Sequence, residues 1–145
     1  AGLEETAAML PEGQRISVIL DTRDRAAWAR AVETFGMATG RRMHVLFNNA
    51  GVGKGGLLED MAAADIDLVL DVNLKGVING CIEALPLLRE TPGARIVNVA
   101  SVAGVMGAPR IAVYCASKFG VRGLTEALDV EYSRYGVRVV SLMPW

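Results

Sequence analysis

Four apolar runs, Arg15–Leu20, Met43–Phe47, Ala94–Ala100 and Val137–Leu142, alternate along this chain with three longer segments whose apolar side chains recur at helical spacing. The runs are close to continuous rather than alternating in character, as a strand is when both of its faces are covered. Strands of that kind lie parallel, and parallel neighbours need crossover connections, which helices supply. The pattern predicts an α/β fold, a doubly wound parallel sheet that is incomplete, in one partial domain over residues 1–145.

The helical segments can be bounded from their own residues. Arg23–Thr34 places Ala27, Trp28, Ala31 and Val32 on one face, with Asp21-Thr22 as its cap and Gly36 and Gly40 at its end. Trp28 and Ala31 are expected to pack against the sheet. From about Asp60 to Arg89 the stripe is Ile66, Leu70, Leu74, Val77, Ile78, Cys81, Ile82 and Leu85, with Pro86 late in the run; the last stripe, from about Ile111 to Tyr135, ends at Gly136.

Composition narrows the function classes. The chain has 145 residues, 52% of them hydrophobic and 21% charged, with a net charge of −1. A chain of this length buries roughly 70% of its unfolded surface, so it can build a core without metal or disulfide staples. It has no block of basic residues for a phosphate backbone, which excludes nucleic acid as a partner. No apolar run reaches the length of a membrane span, and the N-terminus lacks the layout of a signal peptide. Cys81 and Cys115 have no CxxC spacing and His44 is the one histidine, so neither a zinc site nor a disulfide framework is expected. A cytoplasmic, reducing setting follows. Both ends read as cut, since the chain opens at Ala1 and stops at Trp145 directly after its last apolar run.

Ligands of open parallel sheets bind beyond the carboxyl ends of the strands. Asp21, Asn48 to Gly51, Ser101 and Met143-Pro144 occupy those places. The helix after the third run adds Tyr114 and Lys118, whose spacing stacks them on one face. A phenol is a poor base at neutral pH, but an adjacent ammonium favours its phenolate, so Tyr114 can exchange a proton with a substrate hydroxyl or carbonyl. Ser101 stands at a strand end where its hydroxyl can hold the same substrate oxygen.

Asn48-Asn49-Ala50-Gly51, Asn73 within D-V-N-L-K-G, I-V-N-V-A-S ending at Ser101, and Y-C-A-S-K from Tyr114 to Lys118 together resemble the ordered signature of the short-chain dehydrogenase/reductase family. The resemblance runs from Val18 to Pro144 and implies a Rossmann-like fold and an NAD- or NADP-dependent oxidoreductase. On it, Tyr114 is the catalytic acid/base and Ser101 orients the substrate oxygen. Lys118 favours the Tyr114 phenolate and meets the nicotinamide ribose, and Asn73 interrupts its helix and holds a water that links Lys118 to solvent. Asn48, Ala50 and Gly51 match the turn beside the adenine ribose, Asp21 the acid that meets the adenine ring, and Pro144 the passage beside the nicotinamide. The substrate implied is a small carbonyl compound or alcohol.

The departures define a rival. The family's first strand and its Gly-x-x-x-Gly-x-Gly turn would precede Ala1, Trp145 replaces the glycine usual after the proline, and His44 replaces an aspartate. The alternative is therefore a truncated, non-catalytic remnant acting as an association module. Gly51–Gly56 also fits G-x-G-x-x-G, with Asp71 twenty residues past Gly51, but Asp71 falls in a helical stripe rather than at a strand end, so the segment is read as a loop near the active site. Asp21 serves as helix cap, adenine contact or both. His44 reads as a strand-start residue, and Cys115, turned about 100° from Tyr114, as packing. The last two helical segments carry apolar residues on more than one face, including Phe119, Leu124 and Val130. One face then meets the sheet and another a second subunit, as in similar proteins, which implies a homo-oligomer, dimer or tetramer.

Overall fold

The structure is a computed structural model that describes residues 2–145, with side chains from position 4 onward. Its elements are α1 (Gly2–Ala8), α2 (Arg25–Ala38), β1 (Val45–Asn48), α3 (Ala63–Leu70), a π-helical turn (Asp71–Lys75), α4 (Gly76–Leu88), β2 (Arg95–Val99), α5 (Ala112–Tyr132) and β3 (Arg138–Leu142). Three strands form one parallel sheet in the order β1-β2-β3, with Asn48 beside Asn98 and Val99 beside Leu142. This is a partial Rossmann-like α/β fold, as the alternation of runs and stripes predicts.

The helices begin and end for local reasons. Asp24, not Asp21, caps α2, accepting hydrogen bonds from the amides of Ala26 and Ala27. Asp21 instead closes a short turn by accepting from the Arg23 amide. Gly36, expected to end α2, lies inside it, packed on Leu87; the helix stops at Thr39 because Gly40 turns left-handed and the Arg41 amide reaches back to the Gly36 carbonyl. Gly136, with φ of 71°, closes the turn after α5 in the same way.

Two expectations are corrected. Arg15–Leu20 forms no strand: Ile19 is 94% exposed, and β1 pairs only with β2. A strand needs a hydrogen-bonding neighbour, and among the described residues this run has none. Among the described residues the sheet is also covered on one face only. Leu46, Ile96 and Val139 pack beneath α4 and α5 with Val77, Cys81, Ala84, Leu88, Val121 and Leu128. On the opposite face Val45, Phe47, Val140 and Leu142 are exposed. The apolar character of the runs had implied two covered faces.

Polar groups stitch the helices to the strands. The buried Asn98 side chain accepts from Asn48 Nδ2 at 2.9 Å and donates to Thr125 Oγ1 at 3.0 Å, so one amide joins β1, β2 and α5. Cys81 on α4 adds a weaker thiol contact to the same oxygen, and burial pushes its thiol up to about 12, which leaves it unreactive. At the other end of α5, Asp129 takes Arg138 in a fork at 2.8 and 3.0 Å and the Val139 amide at 2.9 Å. The guanidinium holds this carboxyl below the usual carboxylate range.

Trp28 packs on α4 at Gly80 and borders the β1 edge of the sheet, as its helix face predicts. A Cβ built on Gly80 would lie 2.5 Å from Asn48 Oδ1 and 3.0 Å from the Trp28 ring, so only glycine lets α2, α4 and β1 approach this closely. Gly80→Ala should therefore lower stability by about 1–3 kcal/mol, read from the urea midpoint, through overpacking. An unchanged midpoint would show that the contact is slack.

Candidate active site

Tyr114 and Lys118 lie one turn apart at the start of α5. The Lys118 side chain is buried, its ammonium donates to the Val99 carbonyl at 2.8 Å, and it stands 5.6 Å from the centroid of the Tyr114 ring. Burial pushes this ammonium below the ordinary lysine range. The approach of α5 to the end of β2 depends on Gly104 in the short turn Val102–Gly104: a Cβ there would sit 2.7 Å from the Lys118 carbonyl oxygen.

Asn73 reaches the same place from the π-helical turn. The Gly76 amide bonds to the Asp71 carbonyl five residues back, so the turn is widened there, as π segments at functional sites often are. Asn73 is fully buried. Its side chain accepts from the Val52 amide at 2.8 Å and donates to the Val52 carbonyl at 2.9 Å and to Ser117 Oγ at 3.3 Å. Ser117 Oγ in turn donates to the Tyr114 carbonyl at 2.7 Å. A continuous chain of hydrogen bonds thus links the loop after β1, the π turn and the first turn of α5.

Ser101 follows β2 directly. Its hydroxyl accepts from the Ala103 amide at 3.1 Å and caps the short turn, leaving the hydroxyl proton free to donate. The ladder with β3 continues beyond the strands through Ala100 to Leu142 and Val102 to Pro144, which sets Ser101 beside Pro144.

These elements enclose a cavity of about 440 Å³ whose walls include Gly51, Val52, Lys54, Ile111, Tyr114, Lys118 and Pro144. The loop Gly51–Gly56 forms one side of it, and the Gly56 amide donates to the Arg110 carbonyl at 2.8 Å. Arg110 has φ of 68°, a left-handed conformation that costs a non-glycine residue about 1–2 kcal/mol. A narrower cleft of about 60 Å³ lies alongside, lined by Thr22, Trp28, Asn48, Asn49, Ala50 and Gly76.

The residues singled out in the sequence divide accordingly. Gly51, Tyr114, Lys118 and Pro144 line the large cavity and Ala50 the narrow cleft, whereas Asn73 and Ser101 line neither: Asn73 bonds the lining residue Val52, and Ser101 follows the lining residue Ala100 beside Pro144. Asn48 also borders the cleft, but its amide group turns inward to Asn98. Asp21 lines neither; it is exposed and paired with Arg23 at 2.7 Å, which together with the Arg23 amide holds its carboxyl down to about 2. Sequence reasoning assigned no role to Ser117, Gly104 or Lys54. Ser117 lies inside Y-C-A-S-K, four residues before Val121 on the buried side of α5, and that signal was available. Gly104 is legible only from the packing it permits.

The profile of the short chain dehydrogenase family matches residues 1–145, and the chain belongs to that family. Levodione reductase from Leifsonia aquatica is 37% identical over 151 residues, covering 99% of this chain and 55% of that protein. A crystal structure of levodione reductase superposes with a TM-score of 0.91 at 36% identity, over 99% of this chain and 57% of that one. A 3-alpha-(or 20-beta)-hydroxysteroid dehydrogenase from Mycobacterium bovis is 39% identical over 138 residues, covering 95% of this chain and 52% of that protein. ElxO, solved with NADP bound, matches at a TM-score of 0.82 and 28% identity, over 86% of this chain and 50% of that one. The chain spans about half the length of the curated relatives it matches. No helix among the described residues is long and apolar enough to cross a membrane.

Asn73→Ala removes both clamps on Val52 at once. Hydrogen exchange at the Val52 amide should then quicken by about tenfold or more, because the loop loses a buried partner. An unaltered rate would mean that Asn73 does not fix this loop.

Proposed function

We propose that this family member serves an NAD(P)-dependent oxidoreductase that interconverts a secondary alcohol and a ketone, with Tyr114 as the acid/base. The observation that carries the reading is a phenol and a buried ammonium, 5.6 Å from ring centroid to Nζ, in the wall of one cavity beyond the end of β2. The residues present suit the nicotinamide-ribose end of a dinucleotide: Lys118 spends one N–H on Val99 and keeps others for ribose hydroxyls, and Gly51 leaves open the space where a Cβ would stand 3.7 Å from the Lys118 ammonium and 3.4 Å from Asn73 Oδ1. When bound, the coenzyme supplies or accepts the hydride.

The remaining roles belong to the chain. Ser101 donates its hydroxyl proton to the substrate oxygen and orients it. In the reducing direction Tyr114 gives its phenolic proton to that oxygen as the carbonyl carbon becomes tetrahedral. In the oxidising direction the phenolate takes the hydroxyl proton back. The Lys118 ammonium offsets the negative charge left on the phenolate, an effect strengthened by burial. Asn73 acts as a positioning residue through Val52 and Ser117. Pro144, in the wall with Tyr114 and Lys118, sits on the nicotinamide side, Ala50 and Asn48 border the cleft on the adenine-ribose side, and Asp21, held by Arg23, is a turn former first.

We assign the chain to a homo-oligomer whose contact uses the outer face of α5, where Phe119 is 43% and Val130 76% exposed. A cytoplasmic setting accords with two unbridged cysteines, Cys81 and Cys115.

Two measurements on the intact protein test these assignments. Tyr114→Phe should cut turnover of a cyclic ketone by about 10²–10⁴-fold while the coenzyme dissociation constant stays as in the wild type. Retained turnover would refute the acid/base role. Placing glutamate at both exposed positions, Phe119→Glu with Val130→Glu, should lower the mass seen by light scattering to that of a monomer; an unaltered mass would move the contact elsewhere.

A further inference from the structure

The glycine-rich loop Gly51–Gly56 is not accounted for by the proton chemistry, and its construction is specific. One end is clamped by Asn73, which holds both the amide and the carbonyl of Val52. The other end is fastened by the Gly56 amide to the Arg110 carbonyl, and Gly55 lies so close to that carbonyl that a Cβ would stand 3.2 Å from it. Between these anchors the loop carries one long side chain, Lys54, and this residue is part of the cavity wall.

Charge in the cavity wall is one-sided. Two lining residues are basic, Lys54 and Lys118, and among the described residues no carboxylate lines the cavity. A cleft lined by one sign of charge concentrates ligands of the opposite sign. Lys118 is committed to the Val99 carbonyl and the neighbourhood of Tyr114. Lys54 is not so committed. Its ammonium meets Asp65, in the first turn of α3, at 3.0 Å, with the two side chains 45% and 41% exposed. Ion pairs this exposed are weak, so a carboxylate arriving in the cavity can take the place of Asp65 at little cost.

We infer that Lys54 is a specificity-determining residue, and that the cavity takes carbonyl substrates bearing a carboxylate, with the ketone at Tyr114 and the carboxylate at Lys54. This rests on the oxidoreductase reading above and deepens it by naming the substrate class. The glycines around Lys54 then have a function: they keep neighbouring side chains off this stretch of wall and let the loop close on Arg110, so that Lys54 is the one charged side chain the loop offers.

The test is a binding comparison on the intact protein, by NMR titration with 4-oxocyclohexanecarboxylate and its neutral carboxamide. The carboxylate should bind about tenfold more tightly, the usual scale of one charge-assisted contact. Lys54→Gln should abolish that advantage without altering carboxamide affinity, and Lys54→Arg should keep it. Asp65→Asn should widen it, since the competing carboxylate is gone; a structural role for the pair would make Lys54→Gln and Asp65→Asn act in the same direction. Equal affinity for the two ligands in the wild type, an advantage that survives Lys54→Gln, or no binding of either ligand at millimolar concentration overturns the inference. The oxidoreductase reading falls separately, by retained turnover in Tyr114→Phe. Loss of turnover there, together with no charge preference here, would leave that reading standing and remove this one.

Discussion

A buried ammonium organises the corner of this molecule where α5 meets the end of β2. Lys118 is 4% exposed and sits where a charge would be intolerable without a partner. The partner is the carbonyl of Val99, the last residue of β2. That bond fastens the first turns of α5 to the end of the central strand, and Tyr114, one turn earlier, is carried into the cavity wall with it. The close seat also requires Gly104, because any larger residue would meet the Lys118 backbone. The loop and the π turn are attached to the same assembly through Ser117 and Asn73.

Much of this was legible in the sequence, for reasons of periodicity and spacing. Three of the four apolar runs became strands, and Tyr114 and Lys118 share a helix face because four residues make about one turn. The widened turn at Asn73 agrees with what the resemblance implied for that residue, although its side chain is occupied by Val52 and Ser117. The fourth run, Arg15–Leu20, shows where local pattern fails: strand formation is a property of a pair, and apolar character in one segment says nothing about whether a neighbour is present. Asp21 shows a different limit. Cap and turn both use a carboxylate oxygen, and only the folded chain shows that Asp24 caps α2 while Asp21 is taken by Arg23.

Lys54 illustrates a third kind of blindness. In the sequence it is a lysine among glycines, easily weighed as part of a phosphate-binding motif and set aside when the motif fails. Its significance depends on Asn73 and Arg110, one contributed by the π turn and the other by the segment before α5. No linear pattern joins those three positions. What the sequence did contain was the absence of side chains on either side of it.

The side-chain ladder from Asn48 through Asn98 to Thr125 bears on how the strands find their alignment. Asn48 and Asn98 are direct partners across β1 and β2. Sliding β2 by a single position would turn Asn98 outward and bring a valine against the Asn48 amide, leaving hydrogen-bonding capacity stranded in a dry layer. Hydrophobic residues alone would tolerate such a slip far better, since Val97 and Val99 flank Asn98. The amides therefore work as an index pin: they penalise misthreaded chains during folding, and so guarantee that the strand tips finish level, in the one alignment that delivers Val99 to its lysine.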